Sequence, residues 1–176
     1  MLKLVLPTNK YKKSFLEAAE EYRKDWERGQ YSATLNMEEM TKEKFSDYVK
    51  RKLNQSKGIN ISKGRVPATE YWLIDGDEFI GKISIRHRLN ENLRKLGGHI
   101  GYSIRPSKRK MRFATKMLAL ALPEAKKLGI DKALITCDKT NIGSKKVIEN
   151  NGGILENAVS QGKDMPAKLR YWIEIK

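Results

Sequence analysis

Apolar positions recur along the chain with two different periods, and each change of period marks an element. Leu2, Leu4, Val5 and Leu6, closed by Pro7, read as a first strand. Tyr11, Phe15, Ala18, Ala19, Tyr22 and Trp26 fall at helical spacing, with Thr8 or Asn9 as cap and Gly29 as the stop. Phe45, Tyr48, Val49 and Leu53 mark a second helix, with Thr41 as its N-cap. Residues 54–69 carry Gly58, Gly64 and Pro67 and read as a loop. Glu70 to Ile74 is short and rich in aromatic and branched residues. Asp75-Gly76-Asp77 is a turn signal, and Phe79 to Leu89 alternates, with Ile80, Ile83 and Ile85 among polar partners. These segments predict a hairpin. After an excursion over residues 90–98, Ile100 to Arg105 forms another strand.

From Phe113 the period lengthens. Phe113, Ala114, Met117, Leu118, Ala121, Ala125 and Leu128 form a helical stripe, with Gly129 at the left-handed C-cap position. Pro123 interrupts it and predicts a kink, since a mid-helix proline costs about 3 kcal/mol. Ala133 to Cys137 reads as a buried strand, Ser144 to Asn151 as a short helix ended by Gly152-Gly153. Ile154 to Val159 and Leu169 to Ile175 are closing strands. The order is β-α-α-β-β-β-α-β-α-β-β. Its strand–helix–strand step across residues 100–137 implies a right-handed crossover with parallel pairing inside a mixed α/β sheet.

Composition narrows the class. A length of 176 residues suits one domain, taken as 1–176, and 39% hydrophobic residues suffice for a core. No apolar run approaches the 20 or so residues of a membrane span. The N-terminal segment is too short for a signal peptide. A single cysteine, Cys137, excludes an internal disulfide, and the expectation is a reduced, cytoplasmic protein. The net charge of +15 predicts attraction to polyanions: a nucleic acid or a phosphorylated cofactor. A solvated lysine-rich surface accounts for it equally well.

Position sharpens the charge argument. Arg105, Lys108, Arg109, Lys110, Arg112 and Lys116 lie within twelve residues that contain no acid, where a strand gives way to a helix. The first turn of a helix presents unpaired N–H groups and a positive dipole end, which suits phosphate. Small Ala114 lets the backbone come close to a ligand. A solvated basic turn is the plain alternative.

Residues 97–153 resemble the central part of GNAT acetyltransferases. Arg109-Lys110-Met111-Arg112-Phe113-Ala114 is similar to the family's Arg/Gln-x-x-Gly-x-Gly/Ala, with Arg112 in place of the middle glycine. Asp138-Lys139-Thr140-Asn141-Ile142-Gly143-Ser144, running to Gly152-Gly153, matches the second motif at the right distance. The resemblance implies the GNAT fold, with about six to seven mostly antiparallel strands flanked by helices on both faces, and acetyl-CoA as cofactor. It implies that the backbone of Arg109, Lys110, Met111, Arg112, Phe113, Ala114 and Thr115 binds the diphosphate. It implies that the strand edge from Tyr102 to Ile104 pairs with the pantetheine arm, and that Asn141 and Ser144 lie against the cofactor. A turn or cap role is the alternative for Asn141, and an N-cap role for Ser144. Arg112 fits where its φ stays negative, its guanidinium then donating to a phosphate.

The implied chemistry is direct attack of a primary amine on the thioester, with a base to take the proton. His99, opening the strand, lies where several family members place a base. His87 and Glu70 are candidates for the acceptor cleft, the arginines beside His87 depressing its pKa. The tyrosine that many members use as acid is replaced by Ile148. Tyr102 and Tyr171 are the substitutes, though core packing is the commoner fate of either. Cys137 reads as core, and no Cys/His cluster suggests a metal. The implied acceptor is a small-molecule or peptide amine, and the positive charge argues mildly against a polycationic one. Two other readings stand beside this one: a basic nucleic-acid-binding module, disfavoured by the lack of any known binding motif, and a GNAT-like CoA binder without catalysis. Nothing in the chain argues against a homodimer.

Overall fold

The turn Asn9–Tyr11 and helix α1 (Lys12–Glu27) form where the first apolar stripe was read. Tyr11, Phe15, Ala18, Ala19 and Tyr22 are buried, while Trp26 near the helix end is exposed. Thr8 accepts a hydrogen bond from the Lys10 amide and so caps the turn rather than α1. The computed structural model describes residues 1–28 and 44–176. The proposed stop Gly29 and cap Thr41 lie outside them. Helix α2 (Phe45–Ser56) buries Tyr48 and Val49.

Seven strands follow the sequence reading: β1 (Leu2–Val5), β2 (Ala68–Asp75), β3 (Glu78–Arg86), β4 (Ile100–Ile104), β5 (Lys132–Asp138), β6 (Ile154–Val159) and β7 (Lys168–Glu174). They form one sheet in the order β1-β2-β3-β4-β5-β7-β6. Neighbours are antiparallel except β4 and β5, which the crossover through helix α3 (Phe113–Lys127) makes parallel.

Strand alternation sends each hydrophobic set to its own face. Trp72, Ile74 and Phe79 pack with Phe15, Tyr48 and Val49 beneath α1 and α2. The Phe15 and Trp72 rings stack at 4.6 Å. Leu73, Ile83, Ile85 and Ile100 face the other way, onto Met117, Leu118, Ala121 and Ala125 of α3 and Ile148 of helix α4 (Ile142–Glu149). Helix α3 runs as one helix with Pro123 inside it. Pro123 and Ala119, whose carbonyl loses its donor, are both exposed, so water can take the lost bond's place.

Candidate active site

The central parallel pair is short. Its ladder consists of Ile100 opposite Ile135, and no pairing follows toward the C-terminal ends. On its other edge β4 is fully engaged: the Arg86 amide donates to the His99 carbonyl, and the Arg105 amide to the Ile80 carbonyl. Antiparallel pairing alternates, so His99, Gly101, Ser103 and Arg105 bond to β3, while Tyr102 and Ile104 turn their main-chain groups toward β5. Past Ile100 those groups stand at an open edge. The Ile104 carbonyl accepts from Arg109 Nε at 3.4 Å.

At the base of this opening, His99 clamps β5. Its amide donates to the Leu134 carbonyl at 2.6 Å, and its Nδ1 accepts from the Leu134 amide at 2.9 Å. The ring therefore carries its proton on Nε2 and has its lone pair occupied. Burial, with Arg94 and Arg86 nearby, pushes its pKa down to about 4. Gly98, at φ +66°, brings the chain against β5. A Cβ there would lie 2.6 Å from the Leu134 carbonyl oxygen.

Beyond β4 the basic loop divides into two groups. Arg105 is buried and pairs with Glu21 at 2.7 Å, Glu78 at 3.4 Å and Glu17 at 3.7 Å. Lys108 pairs with Glu78 at 2.7 Å, and Arg109 pairs with Asp25 beside the Tyr22 ring. These three tie the loop to α1 and β3. Lys110, Arg112 and Lys116 have no acidic partner among the described residues. Lys110 and Arg112 are left-handed, at φ +62° and +61°. Arg112 therefore adopts the backbone that the motif glycine allows freely, contrary to the expected negative φ. The amides from Lys110 to Thr115 have no acceptor among the described residues, as expected for a helix opening.

Across the opening, Asn141 caps α4, its Oδ1 accepting from the Ser144 amide at 2.9 Å. Ser144 thus lies inside the first turn and is not the cap. The Tyr102 hydroxyl donates to the Ser144 carbonyl at 3.4 Å, and burial pushes its pKa up to about 12. Tyr171 points elsewhere, to Glu149. Ile148 is core. Burial also raises the Cys137 thiol to about 11, in keeping with a core role.

On the α2 side of the sheet lies a cavity of about 470 Å³. Its floor is the polar face of three strands: Glu70 from β2; Lys82, Ser84 and Arg86 from β3; Gly101 and Ser103 from β4. Lys52 and Arg65 form part of its wall. Glu70 is buried, bonded to Trp72 Nε1 at 3.0 Å and paired with Lys52 at 3.3 Å and Lys82 at 3.6 Å. Burial opposes its charge, but the two lysines and these hydrogen bonds prevail and hold its pKa near 2. The buried Ser103 hydroxyl and the Tyr22 hydroxyl beside it both lack a partner of good geometry. His87 is not in this cavity. It faces the other way, bonds Thr69 Oγ1 at 2.8 Å, and is lowered by burial rather than by its arginine neighbours. The alternation of β3 held the signal for Lys82, Ser84 and Arg86. In a sheet covered on both faces, a polar strand face must border a cavity or partners, not bulk water.

Among the described residues, no cluster of three or more His, Cys, Asp or Glu could hold a metal, and no helix is long and apolar enough to cross a membrane. Comparison with known proteins adds a family to this geometry. A search of curated proteins finds no match. Solved structures share the fold. An acetyltransferase from Salmonella typhimurium that modifies the N-terminal serine of ribosomal protein L7/L12 has 20% identity and a TM-score of 0.67 over 99% of this chain and 95% of its own. The microcin C7 self-immunity acetyltransferase MccE, solved with acetyl-CoA and AMP, has 15% identity and a TM-score of 0.69, covering 99% and 92%. YncA from Salmonella typhimurium, solved with acetyl-CoA, has 11% identity and a TM-score of 0.63, covering 99% and 94%. Residues 7–154 match the acetyltransferase (GNAT) domain, so the chain belongs to the GNAT family of acetyltransferases, enzymes that move the acetyl group of acetyl-CoA to an amine.

Proposed function

We propose that residues 1–176 form one cytoplasmic catalytic unit that acetylates a primary amine held in the 470 Å³ cavity. The observation that carries this reading is the open β4 edge, which leads at one end to amides and cations of residues 110–116 that have no partner among the described residues. A diphosphate fits there: amides from Lys110 to Thr115 hold it, and Lys110, Arg112 and Lys116 neutralise it. The main chain of Tyr102 and Ile104 pairs with the pantetheine arm as an added strand would. The Nδ2 group of Asn141 stays available to that arm while its Oδ1 caps α4.

Bound acetyl-CoA supplies the activated acetyl thioester. The amine nitrogen bonds to the acetyl carbon as the C–S bond breaks; the amine loses one proton and the sulfur gains one. Tyr102 is the acid we assign to the sulfur. Its hydroxyl sits at the start of α4, and its raised pKa keeps it protonated at neutral pH. His99 serves as the clamp that sets where β4 and β5 part, its lone pair being occupied. Glu70 is ionised and too weak a base for an ammonium, so its work is to hold Lys52 and Lys82.

Thermal denaturation with acetyl-CoA, followed by thiol release across a panel of amines, tests the reading. Stabilisation and amine-dependent thiol release are expected. Stabilisation without release from any amine would leave a CoA binder. Stabilisation by DNA alone would leave a nucleic-acid module.

A further inference from the structure

The cavity lining holds four cations, Lys52, Arg65, Lys82 and Arg86, and one carboxylate, Glu70. Glu70 pairs with the two lysines. The arginines have no carboxylate among the described residues. Arg86 donates from Nη1 to the Gly97 and Gly98 carbonyls at 3.1 and 3.0 Å, which fixes its fork without neutralising it. Its guanidinium lies over Gly101, 3.8 Å from where a side chain there would begin. Arg86 is half-buried, and Arg65 stands close enough to depress its ionisation further. Two guanidiniums that line one cavity, one of them half-buried, repel each other, and an anion held in that cavity relieves the repulsion. The amide side chains of Asn90 and Asn92 complete this end of the lining.

We propose that Arg65 and Arg86 form an anion subsite of the acceptor pocket, so that the preferred acceptor is an amine carrying a carboxylate or a phosphate. This rests on the reading of the cavity as the acceptor site. The subsite adjoins the β4 edge at Gly101, beside Tyr102, so the anion and the reacting amine belong to one compact molecule or one peptide end. An arginine fork takes both oxygens of a carboxylate or phosphate, which a neutral amine cannot offer.

Calorimetry on the protein saturated with CoA tests this without turnover, using two matched pairs of probes: tyramine against tyrosine, and ethanolamine against phosphoethanolamine. At least one anionic member is expected to bind tenfold or more tightly than its neutral partner. Which pair shows the preference separates carboxylate from phosphate. Arg65→Gln, at an exposed position, and Arg86→Gln should each shrink that ratio severalfold. Equal affinities within both pairs, no binding by either anionic member, or a preference that survives both substitutions would overturn the subsite. Acetyl transfer to the same probes is read separately. Failure of transfer with the binding preference intact counts against the enzymatic reading, not against the subsite.

Discussion

Arg112 holds an angle that its side chain disfavours. A left-handed non-glycine residue costs about 1–2 kcal/mol, while glycine adds about 0.5–1 kcal/mol of unfolded-chain entropy. Arg112→Gly should therefore raise unfolding free energy by up to about 1 kcal/mol in urea titrations. The same change removes a cation from the diphosphate site and should weaken acetyl-CoA binding about tenfold by calorimetry. Parallel movement of stability and affinity would show that the side chain does not compensate. Tyr102→Phe should lower kcat tenfold or more while leaving acetyl-CoA affinity unchanged; an unaltered kcat sinks its role as acid. With His99 near 4 and Glu70 near 2, no group assigned to the cleft titrates at neutral pH. The rate constant kcat/KM should then climb with pH along the acceptor's own ammonium, and a limb near pH 6–7 that vanishes in His99→Gln would restore histidine as base. At this scale the sequence was half legible. The hexapeptide and Asn141 marked the loop and the helix cap that border the open β4 edge, but residue type says nothing of which nitrogen of His99 is occupied.

At the scale of elements, the apolar periods marked the seven strands and the helices α1 to α4 among the described residues, most of them buried along one face; β6 is exposed along nearly its whole length, and the short helical turns at 93–97 and 106–108 carry no such period. The periods could not place the parting of β4 from β5. That depends on Gly98 bringing the chain against Leu134 and on the imidazole replacing a backbone partner, contacts across 35 residues. The clamp predicts a pH dependence of folding. The folded ring titrates near 4 and an ordinary histidine near 6.5, so between these values the unfolded chain binds more protons. This contribution is complete above pH 6.5 and declines as pH falls to 4. Glu70 acts in a separate window, since its lowered pKa stabilises the fold above about 4.5 and fails only toward 2. The urea midpoint should drop between pH 7 and pH 5, and less so in His99→Gln. A drop of equal size in the variant would remove the clamp from the explanation.

For the whole molecule, the net charge of +15 left three partners open because charge count carries no position. Position separates them. Arg105, Lys108 and Arg109 answer acids on α1 and β3, from Glu17 to Glu78, partners far off in sequence and so invisible in a local charge run. Lys110, Arg112 and Lys116 remain beside the edge proposed for the cofactor, and Arg65 and Arg86 in the cavity proposed for the acceptor. Cations without an acidic partner among the described residues thus stand at both proposed ends of the site, while others, such as Lys3, Lys13 and Lys63, lie scattered over the exposed surface. Such a field steers anions inward, and salt screens it with a Debye length of about 10 Å at 0.1 M. Raising ionic strength from about 0.05 to 0.5 M should therefore raise the KM for acetyl-CoA severalfold, by slowing encounter and weakening the phosphate contacts. Chemistry at the thioester lies between the two charged ends, and kcat should change little over the same range. Replacing Lys110, Arg112 and Lys116 together by glutamine should flatten the salt dependence of KM, whereas the same replacement at three exposed lysines elsewhere, such as Lys3, Lys13 and Lys63, should not. If both triple variants flatten it equally, the attraction belongs to the net charge and not to the cleft.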